Sequence, residues 1–154
     1  GNGDNMGVMP CSFASLDKIR IDAALLFYGY DMTDEHTSWE VGLGFTLNPN
    51  SECRCKAAAL ASQGKERFVA AGIAIDHDDA LVGGEVLRRN GQDVGVLNSP
   101  VYSHRLGKSL ALVHLDKEAA APGTSLEVSS DEFSGTATVE AIPFFNPSKS
   151  RTHV

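Results

Sequence analysis

After Lys65 the sequence breaks into six short strand-like runs: "ERFVAAGIAI", "GGEVLRR", "DVGVLNS", "KSLALVHL", "TSLEVSS" and "GTATVEAIPFF". Turn signals separate them at His77-Asp78-Asp79, Asn90-Gly91, Pro122-Gly123 and Ser134-Gly135. Strands of this length at this spacing predict a small antiparallel barrel or sandwich. Asn90-Gly91, set between "EVLRR" and "QDVGVL", is the strongest hairpin signal, because a two-residue turn of this kind needs positive φ at both central positions. The stretch from Gly95 to Leu115 reads as the third strand, a broad connection through Pro100, Tyr102, His104 and Arg105, and the fourth strand.

Upstream of Lys65 the pattern is different. The first ten residues are turn-rich. From Ser12 onward Phe13, Leu16, Ile19 and Ala23 recur at spacings of three and four, which predicts a helix capped by Ser12 and ended near Tyr28-Gly29. Asp17 and Arg20, three apart, fall on its polar side. "DMTDEHTS" is a polar loop. "WEVGLGFTLN" alternates, predicting a strand with Trp39, Val41, Leu43 and Phe45 on one face and Glu40 facing outward, stopped by Asn48-Pro49-Asn50. "CRCKAAALASQ" predicts a short alanine-rich helix ending near Gly64. The chain is thus expected to be α+β, with a piece of one domain over residues 1–64 and a barrel over 65–154.

Charge and cysteine usage narrow the function classes. The net charge of -7 repels phosphate backbones, so nucleic acid is not an expected partner. No apolar run approaches the roughly 20 residues that span a bilayer, and a cytoplasmic location is the default expectation. Cys11, Cys53 and Cys55 make an odd count, which argues against a disulfide framework. Cys53-Arg54-Cys55 has no second pair to complete a zinc shell, and the five histidines are scattered, so no metal site is expected. Ser103-His104 lacks the acidic orienter and the nucleophile elbow of a hydrolase. The opening "GNGDNMG" has no preceding strand to make a dinucleotide loop, and "DHDD" at Asp76 to Asp79 lacks the glycine and terminal glutamate of a calcium loop. His114, within "SLALVHL", reads as a strand residue facing the polar side. No residue stands out as a catalytic acid, base or nucleophile.

The segments taken in order resemble the C-terminal part of the tetrahydrofolate-dependent aminomethyltransferase family, which includes the T-protein of the glycine cleavage system. "PCSFASLDKIRIDAALLFYGYDM" is similar to the family helix running through an Arg-x-Glu-Ala-Gly core to Tyr-Gly, and "SWEVGLGFTL" and "CKAAAL" to the strand and helix after it. "GGEVLRRNGQDVGVLNSPVYSHRLGKSLALVHLDKEAAAPGTSLEV" resembles the family's terminal barrel, and "IPFFNP" its closing strand. The resemblance implies an incomplete folate-domain piece, two helices and a strand, followed by a six-stranded antiparallel barrel. It implies tetrahydrofolate as cofactor, with a small methylated or aminomethyl substrate handing over a one-carbon unit in the complete enzyme.

By the same resemblance, Asp22 stands where the family glutamate accepts from the pterin ring, one methylene shorter, and an ionised carboxylate suits that donor edge. Tyr28 would pack on the same ligand. A basic family residue falls at Ser51, leaving Arg54 as the nearest guanidinium, and a tyrosine of some members falls at Lys149. The family's catalytic half lies upstream of everything matched, so the chain alone is expected to be inactive. The alternative is a non-catalytic binding or assembly module that self-associates through the exposed side of residues 1–64.

Overall fold

The computed structural model describes residues 7–50 and 52–148. Most of the opening glycine-rich stretch, Ser51, Lys149 and the basic tail with His153 therefore lie outside the described residues. Two α-helices, α1 (Phe13–Asp22) and α2 (Lys56–Ala61), precede six strands: β1 (Val69–Ile75), β2 (Val86–Arg89), β3 (Gln92–Ser103), β4 (Lys108–Leu115), β5 (Ser125–Ser129) and β6 (Ser134–Glu140). The strands close into an antiparallel barrel in the order β1-β4-β3-β2-β5-β6, with β1 bonded to both β4 and β6.

Local chemistry accounts for the turns. Asn90 and Gly91 both take positive φ, 54° and 77°, and link Arg89 directly to its cross-strand partner Gln92. The stretch after Leu97 differs from expectation. There is no broad connection: β3 runs on to Ser103, past a bulge between Leu97 and Ser99, and a four-residue turn, His104 to Gly107, returns the chain as β4. Beyond Val96, β3 has lost its β2 neighbour and pairs with β4 alone. Pro100 therefore sits on an edge, where its missing N–H costs no ladder bond. Ser134-Gly135 likewise belongs to β6. The turn before it is Ser130–Phe133, closed by the Ser130 N–H on the Phe133 carbonyl at 2.8 Å.

The barrel interior is filled by alternate residues, among them Ile73, Leu87, Leu97, Val113, Leu126 and Val139. A second cluster lies outside the barrel wall, where Ile21 of α1 covers Val101, Leu110 and Leu112. β4 is thus buried on both faces, which explains why "SLALVHL" is nearly continuous rather than alternating.

The strand expected over "WEVGLGFTLN" is absent. Residues 37–47 form successive tight turns ending in a 3-10 turn, Gly44–Thr46, with the Val41 N–H on the Thr37 carbonyl and the Leu43 N–H on the Ser38 carbonyl. The glycines decide this. Gly42 has φ +71°, and a side chain on Gly44 would meet the Trp39 ring, its Cβ only 2.1 Å from a ring carbon. Trp39 instead donates its indole N–H to the Ala59 carbonyl of α2 at 2.7 Å. Glu40, expected to face outward, is buried.

Candidate functional site

The helix α1 begins as its sequence says, with the Ser15 N–H donated to Ser12 Oγ at 3.2 Å. Its burial is the reverse of the usual arrangement. Phe13, Leu16 and Ile19, the apolar stripe, are 67%, 58% and 53% exposed, while Arg20, Ile21 and Asp22 are buried. The last turn therefore carries two polar side chains into the protein. Arg20 accounts for its burial with an ion-pair network: Nε on Asp17 at 2.6 Å, Nη1 on Asp31 at 2.5 Å and on the Leu25 carbonyl at 3.2 Å, and Nη2 on Ser99 of β3 at 3.1 Å. The guanidinium also lies over the Phe27 ring.

Asp22 has no comparable partner. It is 6% exposed, and its Oδ1 is buried with no hydrogen-bond donor among the described residues. A buried carboxylate oxygen left unpaired costs stability. Asp22 lines an open cleft of about 480 Å³ between α1 and the β3–β4 turn, together with Ser12, Ser15, Lys18, His104 and Arg105. Of the other residues singled out from sequence, Tyr28 is 62% exposed in the turn after α1, bridged to Met32. Arg54 is exposed in the turn before α2. Neither lines the Asp22 cleft.

Two buried carboxylates and a half-buried histidine brace the segment that follows α1. Glu40 accepts from the Thr37 N–H at 2.9 Å, from Arg67 Nε at 2.8 Å and from the Arg67 N–H at 3.2 Å. The Arg67 guanidinium holds its carboxyl down at about 2. Asp31, 1% exposed, accepts from Arg20 and from the Phe27 N–H. His114 stacks on Phe68 with ring centroids 4.3 Å apart and donates from Nε2 to the Asp31 carbonyl at 2.8 Å. Burial pushes this imidazole below its ordinary range, so the outer face of β4 at His114 is a docking point for the preceding loop rather than a polar surface. Cys11, Cys53 and Cys55 are free and exposed. Among the described residues no group of three or more His, Cys, Asp or Glu could hold a metal ion, and no helix is long and apolar enough to cross a membrane.

Comparison with known proteins places this architecture. The family model for the glycine cleavage T-protein C-terminal barrel domain matches residues 67–146. The chain belongs to that family. Among curated relatives, it is 31% identical over 97% of its length to the heme-dependent oxidative N-demethylase gamma subunit of Ectopseudomonas mendocina, covering 42% of that protein. It is 28% identical over 93% of its length to the aminomethyltransferase of Bacillus subtilis, covering 40% of it. The trimethylamine-oxide aldolase of Ruegeria pomeroyi shares 28% identity over 97% of this chain and 20% of its own. The chain thus spans less than half the length of these relatives. A solved structure of the glycine cleavage system aminomethyltransferase T from Bartonella henselae superposes with a TM-score of 0.78 over 85% of this chain and 38% of that one, at 21% identity. That likeness confirms the fold, two helices and a closed six-stranded antiparallel barrel.

Proposed function

We propose that this chain is the folate-contacting C-terminal portion of a tetrahydrofolate-dependent aminomethyltransferase or demethylase, with residues 1–64 a piece of the folate-binding domain and 65–154 its covering barrel. The unpaired, buried Oδ1 of Asp22, a residue that lines the cleft, carries this reading. The residue fits the pterin: an acceptor-only carboxylate, held still by the last turn of α1, answers the amino and ring N–H donors of that ring. When bound, tetrahydrofolate supplies the nitrogens that take up the one-carbon unit. This chain's own contribution is to orient the ring at Asp22, with the barrel wall excluding water from that side. His104 and the hydroxyls of Ser12, Ser15 and Ser103 line the cleft with Asp22, none with an assigned part in transfer, and the chain by itself is expected to bind without turning over.

Titration of the full chain with tetrahydrofolate, followed by calorimetry, tests the reading. Saturable binding is expected, weakened at least about tenfold in Asp22→Ala, the loss of one charge-assisted contact. Absence of binding at millimolar ligand, or binding indifferent to Asp22→Ala, overturns it.

The exposed stripe of α1 favours a second reading, a module that self-associates. Phe13, Leu16 and Ile19 continue into Leu25, Tyr28 and Tyr30, exposed by 62%, 62% and 68%, an apolar surface of the kind that marks an interface. The Ectopseudomonas relative is itself named as a subunit. Sedimentation velocity should then show a dimer or larger species that reverts to monomer in Leu16→Glu. A wild-type chain that stays monomeric at every concentration removes this reading.

A further inference from the structure

We infer that His36 and His114 act as a proton-operated latch, holding the loop of residues 28–37 on the barrel wall while both rings are neutral and freeing it when they take up a proton. His114, on the outer face of β4, stacks on Phe68 with centroids 4.3 Å apart and meets the His36 ring edge-on at 5.1 Å. His36 also packs edge-on against Phe68, at 5.3 Å. One ring from the loop, one from β4 and one from the residue that enters β1 thus form a single joint. Asp31 of the same loop is bonded to Arg20, so release of the loop would loosen the last turn of α1 as well.

The hydrogen bonds of this joint require neutral rings. The Thr33 N–H is donated to His36 Nδ1 at 2.8 Å, and a backbone amide only donates, so that nitrogen carries no proton. His114 Nε2 donates to the Asp31 carbonyl at 2.8 Å, which leaves Nδ1 to accept from the Asn98 amide at 3.4 Å. The Tyr30 carbonyl fixes the direction of that amide by accepting from the same NH2 group at 3.2 Å. A proton on either acceptor sets a donor against a donor, and two charged rings would repel each other across the joint. The surrounding charges do not offset this. Asp31 and Glu40 favour the charged form of His114, but Asp31 is bonded to Arg20 and Glu40 to Arg67, whose guanidinium lies 5.4 Å from the centre of the Phe68 ring. Asp34 and Glu35 of the loop are exposed, and the cross-strand neighbours Ala70 and Val96 carry no charge. Burial, with His36 beside it, holds the His114 imidazole below its ordinary 6.5. The freed ring therefore takes the proton before the docked one does. Docking is fully favoured above 6.5 and weakens as the pH falls below it.

Amide hydrogen exchange of the full chain, followed by NMR at about pH 7.5 and about pH 5.5 and expressed as protection factors, tests the latch. The Asp31 and Thr33 amides are expected to lose at least about tenfold in protection at the lower pH, the factor for one lost hydrogen bond, while Leu126 and Val128 in the barrel keep theirs. In His36→Asn/His114→Gln, whose amides offer the same acceptor and donor without taking a charge, the loss should fall below about threefold. Unchanged loop protection in the wild type overturns the latch. So does an equal loss at Leu126 and Val128, which would mean that the whole chain opens rather than the loop, and so does a tenfold loss that persists in the double variant. The wild-type comparison decides the matter even where the double variant does not fold.

Discussion

Arg20→Ala is expected to lower the stability of the folded chain by about 4 kcal/mol, the range for removing one partner of a buried ion pair. The Coulombic attraction itself is not the main quantity lost. Asp31 is 1% exposed, already has one oxygen without a donor, and would be left with only the Phe27 N–H. The Leu25 carbonyl and Ser99 Oγ would lose their bonds as well. Because Ser99 belongs to β3, the same guanidinium fastens the end of α1 to the barrel wall, and Asp22 lies two residues further on. Denaturation by urea measures the effect. Asp31→Asn made in the Arg20→Ala background should recover part of the loss, because the charge no longer needs neutralising while the acceptor for Phe27 persists. A loss under about 1 kcal/mol, or no recovery, would mean that Asp31 is solvated and that α1 is held by Ile21 alone.

Much of the barrel was legible because its determinants are local. Asn90-Gly91 dictates a turn from two residues, and four of the six strands lie within the runs that alternation and turn signals mark. The fourth strand was marked by its continuous apolar character, though not its reason, which is Ile21 arriving from α1. Failures fell where a tertiary partner decides. "WEVGLGFTL" alternates as a strand does, yet Thr37-Ser38-Trp39-Glu40 is also a T-x-x-E capping signature, and the structure uses it. The Glu40 N–H is donated to Thr37 Oγ1 at 3.2 Å while the Glu40 carboxylate takes the Thr37 N–H. Gly42 and Gly44 two residues on were the further sign that no flat strand would form. In α1 the periodicity of Phe13, Leu16 and Ile19 correctly marked a helix and misplaced its buried side, because pattern alone does not say which face the barrel will cover. Asp22 could be singled out only through resemblance. Its backbone carbonyl is bonded by Phe145, more than 120 residues later in the chain, which no spacing rule connects to it.

Glu40→Ala is the other substitution expected to act strongly, by about 3 kcal/mol at pH 7, since it strips a buried acceptor from two backbone N–H groups and from Arg67. Its pH dependence separates the ionic part from the rest. The Glu40 carboxyl falls from an ordinary 4.5 to about 2 in the folded chain. Above pH 4.5 both folded and unfolded chains carry the charge, and the contribution is fully present. Between 4.5 and about 2 the unfolded chain takes up a proton that the folded chain refuses, so stability drains away as the pH falls. The drained part is roughly 2 kcal/mol, less than the full displacement would give, because Arg67 is 60% exposed and water screens the pair. Urea midpoints at pH 7, 5 and 3 should show a constant gap between wild type and Glu40→Ala at the first two values and a narrower one at the third. A gap that stays constant down to pH 3 would show that Glu40 acts by filling space and bonding the backbone, with its charge contributing nothing. The Glu40–Arg67 pair joins the turn before α2 to the residues entering β1, so an ionic gap that narrows on acidification would also mark where the first sixty residues begin to separate from the barrel.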